Sequence, residues 1–221
     1  MIAEELINYM IPPMKPGDEA HKAITWMEEL RVNQLPVVDK GIFLGLIHED
    51  TIYEDNQIER EVKDFDLIAV DCYVMSNQHF YDIIKTATNC SVQMVAVFDE
   101  SNMYMGVITV EDTISAFAQT AAVQSAGGII VLSMNHTDYS LSEISRLVEA
   151  EDGKILSSSV ANDTFDPTKF KLTLKINKVD LSHIIATLER FGYKIIARFQ
   201  ESEVISNEKE RLDILLKYLD I

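Results

Sequence analysis

The sequence predicts an α+β protein in which two copies of one small unit precede a βαββαβ unit. Short apolar segments with the two-residue period of strands alternate with segments that have a helical period of about 3.6 residues. Turn residues then recur at a fixed spacing: Asp39 and Asp99 are 60 residues apart, and Gly45 and Gly106 are 61 residues apart. A repeat of about 60 residues, with turn residues at equivalent positions, indicates an internal duplication. The pattern changes after the small residues Ser-Ala-Gly-Gly at 125–128.

Composition and charge limit the classes of protein to which this chain can belong. The 221 residues, 47% hydrophobic and 25% charged, suffice for two modest domains with ordinary cores. No apolar run reaches the roughly 18 residues of a membrane span, and the N-terminus lacks a secretory pattern. Cys72 and Cys90 fit a reducing compartment and small buried side chains better than a disulfide framework. We therefore expect a cytoplasmic protein.

The net charge of −17 argues against nucleic-acid partners. No Lys or Arg occurs between Lys85 and Arg146. A polyphosphate site built from that stretch alone is therefore not expected.

The first repeat, about 1–60, is predicted to begin with an extended Pro-rich segment. Asp18 is expected to cap a helix that buries Ala20, Ala23, Ile24, Met27 and Leu30. Residues 35–38 and 42–47 are predicted to form a hairpin around a turn at 39–41. A second helix is expected over 49–54, followed by an exposed linker over 55–66.

The second repeat, about 61–122, follows the same order. A strand is predicted over 67–70, and Asn77 is expected to cap the next helix. Strands over 94–98 and 103–108 flank a turn. Thr109 is predicted to start a helix that small residues extend towards Ala122.

The third part, 128–200, is predicted to have strands over 129–134, 154–160, 169–176 and 193–199. Helices are expected over 141–149 and from the cap Asp180 to Gly192. This βαββαβ order predicts a ferredoxin-like antiparallel sheet with two helices on one face. The tail, 201–221, is predicted to contain an amphipathic helix with Leu212, Leu215, Leu216 and Leu219 on one side.

Thr109-x-x-Asp112 is the motif with the clearest chemistry. One interpretation is a capping box, in which the hydroxyl and the acid satisfy amides of the first helical turn. The other is that the same carboxylate also accepts hydrogen bonds from a ribose, beside amides that attract anions. The residues alone leave both open.

The repeats resemble the CBS domain, a cystathionine-β-synthase-type regulatory module that occurs as a Bateman pair. The resemblance covers about 1–122 and rests on helix, Leu35-Pro-Val-Val-Asp39, turn, strand, Gly-h-h and helix, although Met94–Val97 departs from the usual form. In that family, Gly-h-h-(Ser/Thr)-x-x-Asp contacts adenosine, and 106–112 matches it. The resemblance thus implies ligand contacts from Thr109, Asp112, Val32, Asn33, Gln34, Gln93 and Met94.

The first repeat departs from this signature. His48 replaces the Thr, Thr51 replaces the Asp, and Asp50 comes one residue early, which turns it by about 100° on a helix. We expect this second site to be empty or to bind something else. His48 is interpreted as a helix-start residue, and no metal site is predicted.

Charge restricts the adenosine ligand. The resemblance places phosphates at Gln93 and Met94, neither of which is basic, and an unpaired buried phosphate is costly. AMP, ADP or S-adenosylmethionine is therefore favoured over ATP as a regulatory ligand, and no catalytic cofactor is predicted. A dimer partner's Arg31 or a bound Mg²⁺ could overturn this preference.

Residues 128–200 resemble an ACT domain through Leu141-x-x-Ile144, Gly153-Lys-Ile155 and Leu188-Glu-x-x-Gly192-Tyr193. That family's Asp-x-Pro-Gly corresponds to 136–139, so Tyr139 takes the glycine position. Its ring is expected to fill the amino-acid pocket, which favours a role in assembly over amino-acid binding.

No catalytic motif is found. The chain is interpreted as a non-catalytic allosteric sensor, similar to acetoin-utilisation-type regulatory proteins, that forms a homodimer and acts on an unidentified regulated protein. Neither a nucleic acid nor a membrane is an expected partner. Two alternatives stay open: a structural or partner-docking module with an empty CBS cleft, and an amino-acid sensor acting through the ACT-like part.

Overall fold

The computed structural model describes residues 1–55 and 58–200, except for the side chain of Asp55. The chain divides into two compact units, Met1–Gln119 and Thr120–Ile221. The amphipathic helix predicted for 201–221 lies outside the described residues. None of the described helices is long and apolar enough to cross a lipid bilayer.

The first repeat contains α1 (Ala20–Leu30), β1 (Gln34–Asp39), β2 (Ile42–His48) and α2 (Glu49–Asp55). Strands β1 and β2 form an antiparallel hairpin with a bulge between Val37 and Val38. Met14 adds a single parallel bridge to Val37. The predicted hairpin and both predicted helices of this repeat are confirmed.

The second repeat contains β3 (Tyr73–Met75), α3 (Phe80–Cys90), β4 (Met94–Phe98), β5 (Tyr104–Thr109) and α4 (Val110–Ala118). Strand β4 pairs parallel with β3 and antiparallel with β5, with a bulge between Val97 and Phe98. Arg31 and Ser91, which follow α1 and α3, are both left-handed, with φ of 57° and 55°. The elements, bulges and caps thus correspond pairwise, and the predicted duplication is confirmed.

Each repeat is completed by the segment that precedes the other one. Near the N-terminus, the Ala3 amide donates to the Gln78 carbonyl at 2.9 Å and the Asn8 amide donates to the Val107 carbonyl at 2.8 Å. Residues 58–68 make the equivalent contacts with the first repeat, for example from the Ala20 amide to the Arg60 carbonyl at 2.9 Å. This exchange carries Asn8 to the end of β5, where α4 begins.

Several predicted boundaries are wrong. Residues 67–70 do not form a strand, because Ile68 makes one bridge to Leu46 and Ala69 then turns left-handed at φ 56°. The predicted exposed linker contains a 3₁₀ turn at Val62–Asp64, and Val62 is 0% exposed.

The predicted helix caps also differ. Glu19, rather than Asp18, is the N-cap of α1, and His79 replaces Asn77 as the cap of α3, accepting from the Tyr81 amide at 3.3 Å. Helix α4 ends at Ala118, short of the predicted extension towards Ala122.

The second unit begins with the short helix α5 (Ala121–Gln124) and continues with β6 (Gly128–Asn135), α6 (Leu141–Ala150), β7 (Ile155–Asn162), β8 (Lys169–Ile176), α7 (Ser182–Arg190) and β9 (Lys194–Phe199). The antiparallel sheet has the strand order β7-β8-β6-β9. Alternate residues of β6 and β8 are buried with the apolar sides of α6 and α7. The predicted βαββαβ order is confirmed.

Candidate functional site

Thr109 and Asp112 form a complete capping box at the junction of β5 and α4. The Asp112 amide donates to Thr109 Oγ1 at 2.9 Å, while the Thr109 amide and hydroxyl donate to Asp112 Oδ2 at 3.0 and 2.6 Å. Two amides of the first helical turn are thus satisfied by side chains. The capping interpretation of this motif is confirmed.

Asn8 is a third member of this cluster that the sequence analysis missed. Its Nδ2 lies 3.2 Å from Asp112 Oδ1 and 3.1 Å from Asp112 Oδ2. Its own Oδ1 accepts from the Met10 amide at 3.0 Å, which fixes the orientation of the side chain. Because Asn8 belongs to the exchanged N-terminal segment, the carboxylate joins two distant parts of the first unit.

The cluster opens into a cavity of about 810 Å³. Five of the seven predicted ligand contacts line it, namely Thr109, Asp112, Val32, Gln93 and Met94. Further lining side chains come from the N-terminal segment (Asn8, Met10, Ile11), from the end of α1 (Leu30, Arg31), from Val92 and from α4 (Val110, Glu111, Ile114, Ser115). The Asp112 carboxylate therefore faces a cleft, as the second interpretation of the motif requires.

The other two predicted contacts, Asn33 and Gln34, are not among the lining residues. Gln34 is 3% exposed, and its Oε1 accepts from the Gln93 amide at 3.3 Å, which links the starts of β1 and β4. The Asn33 carbonyl accepts from the Glu49 amide at 3.0 Å. Gln34 thus links the two repeats through its side chain, whereas Asn33 holds the start of α2 within the first repeat through its backbone carbonyl.

Arg31 changes the electrostatics expected for this site. Arg31 was expected there only as a residue of a dimer partner, but Arg31 of the same chain lines the cavity. Glu111 and Asp112 supply the acidic groups of the same wall. The cavity thus offers one guanidinium, a bidentate donor for phosphate or carboxylate, beside two carboxylates.

The equivalent position in the first repeat is organised differently. His48 Nδ1 accepts from the Asp50 amide at 3.1 Å and lies 3.5 Å from Asp50 Oδ2. His48 therefore caps α2 locally, as predicted. Within the described residues, no group of three or more His, Cys, Asp or Glu side chains is arranged to hold a metal.

In the second unit, Tyr139 packs against the core at one end of the sheet. Its ring meets the Phe170 ring edge-on with centroids 5.3 Å apart, and His136 lies 5.1 Å from the same ring. The Tyr139 ring therefore contacts Phe170. That it fills an amino-acid pocket stays a prediction.

The two missed residues, Arg31 and Asn8, differ in how clearly the sequence points to them. Arg31 directly precedes the predicted contact Val32, so a search around each predicted residue would have found it. Asn8 is 104 residues from Asp112, and no local pattern connects them.

No family model matches the chain. Among solved structures, a CBS domain pair/ACT domain protein from Thermotoga maritima is similar with a TM-score of 0.49 and 16% identity, over 54% of this chain and 98% of that one. CBSX2 in complex with AMP matches with a TM-score of 0.46 and 15% identity, over 53% and 96%. The CBS domain of a bacterial CNNM/CorC family Mg²⁺ transporter in complex with ATP matches with a TM-score of 0.44 and 17% identity, over 52% and 85%.

These structural neighbours are CBS-domain proteins, and the AMP and ATP belong to those proteins.

Proposed function

We propose that this chain is a non-catalytic regulatory protein whose first unit binds an adenosine-containing ligand, AMP or S-adenosylmethionine rather than ATP. The observation that carries the proposal is the Asp112 carboxylate, held by Thr109 and Asn8 in the wall of a cavity of about 810 Å³. This volume lies in the range of about 300–1,000 Å³ typical of small-molecule sites.

The carboxylate has acceptor capacity left for a ribose. Asp112 Oδ2 accepts three of the hydrogen bonds described above, whereas Oδ1 accepts one. A carboxylate offers about four lone-pair sites, two on each oxygen. We assign the remaining capacity of Oδ1 to a ribose hydroxyl, with the amide of Asn8 moving aside or binding the same hydroxyl oxygen.

The apolar wall suits a flat base. Ile11, Leu30, Val32, Val92 and Met94 line the cavity and come from three separate segments of the first unit. An adenine ring between such side chains buries both faces, and the hydrophobic gain is about 25 cal/mol per Å² of apolar surface.

Arg31 and Glu111 determine which adenosine derivative fits. A single phosphate pairs with Arg31, whereas a triphosphate brings further charges for which the wall supplies the acids Glu111 and Asp112. S-adenosylmethionine brings a carboxylate for Arg31 and a cationic sulfonium for the acids. One guanidinium pairs with one anionic group but does not neutralise three phosphates beside two carboxylates, so AMP and S-adenosylmethionine are both favoured over ATP.

Calorimetric titration of the full chain with adenosine, AMP, ATP and S-adenosylmethionine tests the proposal. We expect AMP or S-adenosylmethionine to bind more tightly than ATP, Asp112→Ala to abolish binding, and Thr109→Ser, which keeps the hydroxyl, to retain it. Arg31→Ala should weaken AMP about tenfold, the effect of one charge-assisted hydrogen bond, and leave adenosine unchanged. Absence of binding by all four ligands would leave the alternative of a docking module with an empty cleft.

We also propose that the chain forms a homodimer through α3 and α4. Ile84 and Phe117 are each 45% exposed, and Tyr81 and Ile114 are exposed beside them. The matching surface of α1 carries the exposed polar residues His21, Glu28 and Glu29. Light scattering after size exclusion should give a dimer for the wild type and a monomer for Ile84→Glu, and His21→Glu on α1 is the matched control.

An amino-acid sensor acting through the second unit is the other candidate. The contact of Tyr139 with Phe170 speaks for assembly rather than for ligand binding at that end of the sheet. An amino-acid response that survives in Asp112→Ala would establish the sensor instead. The cytoplasmic location and the regulated protein remain predictions from the sequence.

A further inference from the structure

The sheet of the second unit has an apolar strip on the face that lies opposite α6 and α7. Alternate residues of β6 are buried with these helices, so Ile129 and Val131 point to the other side of the sheet. The strand register places Phe199 beside Ile129 and Ala197 beside Val131. These four residues form the outer strip, which spans β6 and the edge strand β9.

The outer strip belongs to neither hydrophobic core of the described residues. Phe199 is 59% exposed, and the short helix α5 contacts β7, at the opposite edge of the sheet. On a solvated face of an antiparallel sheet, the outward positions are ordinarily polar. Ile129, Val131 and Phe199 are apolar at such positions, which indicates that the strip has an occupant.

The outer strip is bordered by cations. Lys175 of β8 lies beside Ile129 at one end, and Lys194 of β9 lies at the other end. The Lys175 amine donates to the neutral Gly127 carbonyl at 3.0 Å, whereas the other two lysines of β8 pair with aspartates of the preceding turn. Two such faces packed together would add cations on both sides, so the complementary occupant is an acidic one.

The chain carries an acidic, amphipathic segment directly after this sheet. Residues 201–221 contain six acids and three bases. One side of the helix predicted there is formed by Leu212, Leu215, Leu216 and Leu219. Asp213 and Asp220 border that side, because each residue turns a helix by about 100°. Strand β9 ends at Phe199, so the segment leaves the sheet from a member of the outer strip.

The lengths of the segment and of the strip agree. Between Ile129 and Ser133, the rows that carry Lys175 and Lys194, β6 rises about 13 Å. The four leucines of a helix over 212–219 would span about 11 Å. The 12 residues between Phe199 and Leu212 reach about 40 Å when extended, which suffices for the chain to turn back over the strip.

We propose that the C-terminal segment 201–221 docks on the outer strip of its own chain, with its four leucines against Ile129, Val131, Ala197 and Phe199. Its acids then lie beside the cations of β8 and β9. The partner of this surface is thus the acidic tail that the chain itself supplies. The inference does not depend on ligand binding in the first unit.

Carbodiimide cross-linking of the full chain tests this contact, because the reagent joins a lysine amine to a carboxylate only where the two pair. Isotope-labelled and unlabelled chains are mixed until their subunits exchange, so that peptide mapping separates links within one chain from links between chains. We expect links from Lys175 or Lys194 to acids of 208–220 within one chain. Links found only between chains would make a second copy the occupant and overturn the inference.

Hydrogen exchange followed by mass spectrometry gives a second readout on the full chain. Amides of 212–219 should exchange at least about tenfold more slowly in the wild type than in Leu215→Glu, because docking protects them. The matched control is Ile214→Glu, which makes the same change on the opposite side of the predicted helix and should keep the protection.

A change on the sheet tests the other side of the contact. Val131→Lys in the outer strip should remove the protection of 212–219, whereas Val160→Lys on β7 should leave it. Leu215→Glu keeps the test informative if Val131→Lys does not fold, because Leu215 follows the sheet in sequence. Unprotected amides in the wild type, or protection that a folded Val131→Lys leaves unchanged, would overturn the inference.

Discussion

The contact between Asn8 and Asp112 gives a quantitative prediction for Asn8→Ala. The amide nitrogen of Asn8 makes both contacts to the carboxylate, at 3.1 and 3.2 Å, so we count one charge-assisted hydrogen bond. Such a bond contributes about 1.5–3 kcal/mol, and a half-buried site takes the lower end. We therefore expect Asn8→Ala to lower the free energy of unfolding of the first unit by about 1.5 kcal/mol.

Trp26 makes the measurement specific to this unit, because it is the only tryptophan and lies in α1. Urea unfolding followed by Trp26 fluorescence should show a lower midpoint. With a slope of about 1–3 kcal/mol per molar urea, the shift is about 0.5–1.5 M.

A double-mutant cycle isolates the pair from other effects of each change. Asn8→Ala, Asp112→Ala and the double variant are unfolded under the same conditions, without ligand. We expect a coupling free energy of about 1 kcal/mol or more, within the range of about 0.5–3 kcal/mol found for contacting residues. Strictly additive effects would show that Asn8 does not hold the carboxylate, and the account of the site would then be wrong.

Three further predictions concern the cap, a close backbone approach and an ion pair. Thr109→Val should cost about 1–2 kcal/mol of unfolding free energy by Trp26 fluorescence, and Thr109→Ser much less; equal losses would mean that the hydroxyl is not the cap. Gly45→Ala should cost about 2 kcal/mol or more in thermal unfolding, because Gly45 has φ +139° and a Cβ there would lie 2.9 Å from the Ile68 carbonyl oxygen; an unchanged midpoint would contradict this. Hydrogen bonds from Lys169 and Thr168 lower the pKa of Asp166 from 3.8 to about 2. The ionised carboxylate therefore stabilises the second unit above pH 3.8, and this stabilisation is lost as the pH falls towards 2. Urea unfolding followed by circular dichroism should show this loss in the wild type and not in Asp166→Asn; identical pH profiles would exclude it.

The sequence predicts those parts of the fold whose signals are local. The 60-residue duplication is visible because turn and strand residues recur, and the structure places matching bulges and left-handed caps at Arg31 and Ser91. The alternation in 169–176 predicts β8 correctly, because each buried residue is followed by one facing outward. Thr109 and Asp112 are found for the same reason, since a capping box lies within one helical turn.

The missed features depend on contacts between distant residues. Residues 67–70 are apolar enough for a strand, yet their pairing with Leu46 is limited to a single bridge because Ala69 turns left-handed. The 3₁₀ turn around Val62 is buried because this segment packs on the first repeat, despite its charged neighbours. Composition predicts exposure for such a segment, and tertiary packing overrides it.

The charge of the candidate site also depends on residues that are distant in the sequence. Reasoning along the sequence places phosphates beside Gln93 and Met94 and finds no cation nearby. Arg31 is about 60 residues away in sequence, yet the fold brings the end of α1 to the same cavity. The first repeat thus supplies the guanidinium of a cavity whose acidic groups belong to the second repeat, so the charge of the site must be counted over both copies.

Because the repeats exchange segments, the stability of the first unit and the proposed ligand binding would both depend on the Asp112 carboxylate. Asn8 is anchored by its backbone to Val107 of β5 and by its side chain to Asp112 at the start of α4. A ligand that takes hydrogen bonds at Asp112 must therefore share the carboxylate with the segment that completes the second repeat. In the first repeat, Ile68 occupies the position equivalent to Asn8 and Thr51 the position equivalent to Asp112, so neither the acid nor its amide partner is present. The two repeats therefore differ at both positions together. We expect that a substitution which removes the Asp112 carboxylate abolishes both the proposed ligand binding and the contact with Asn8.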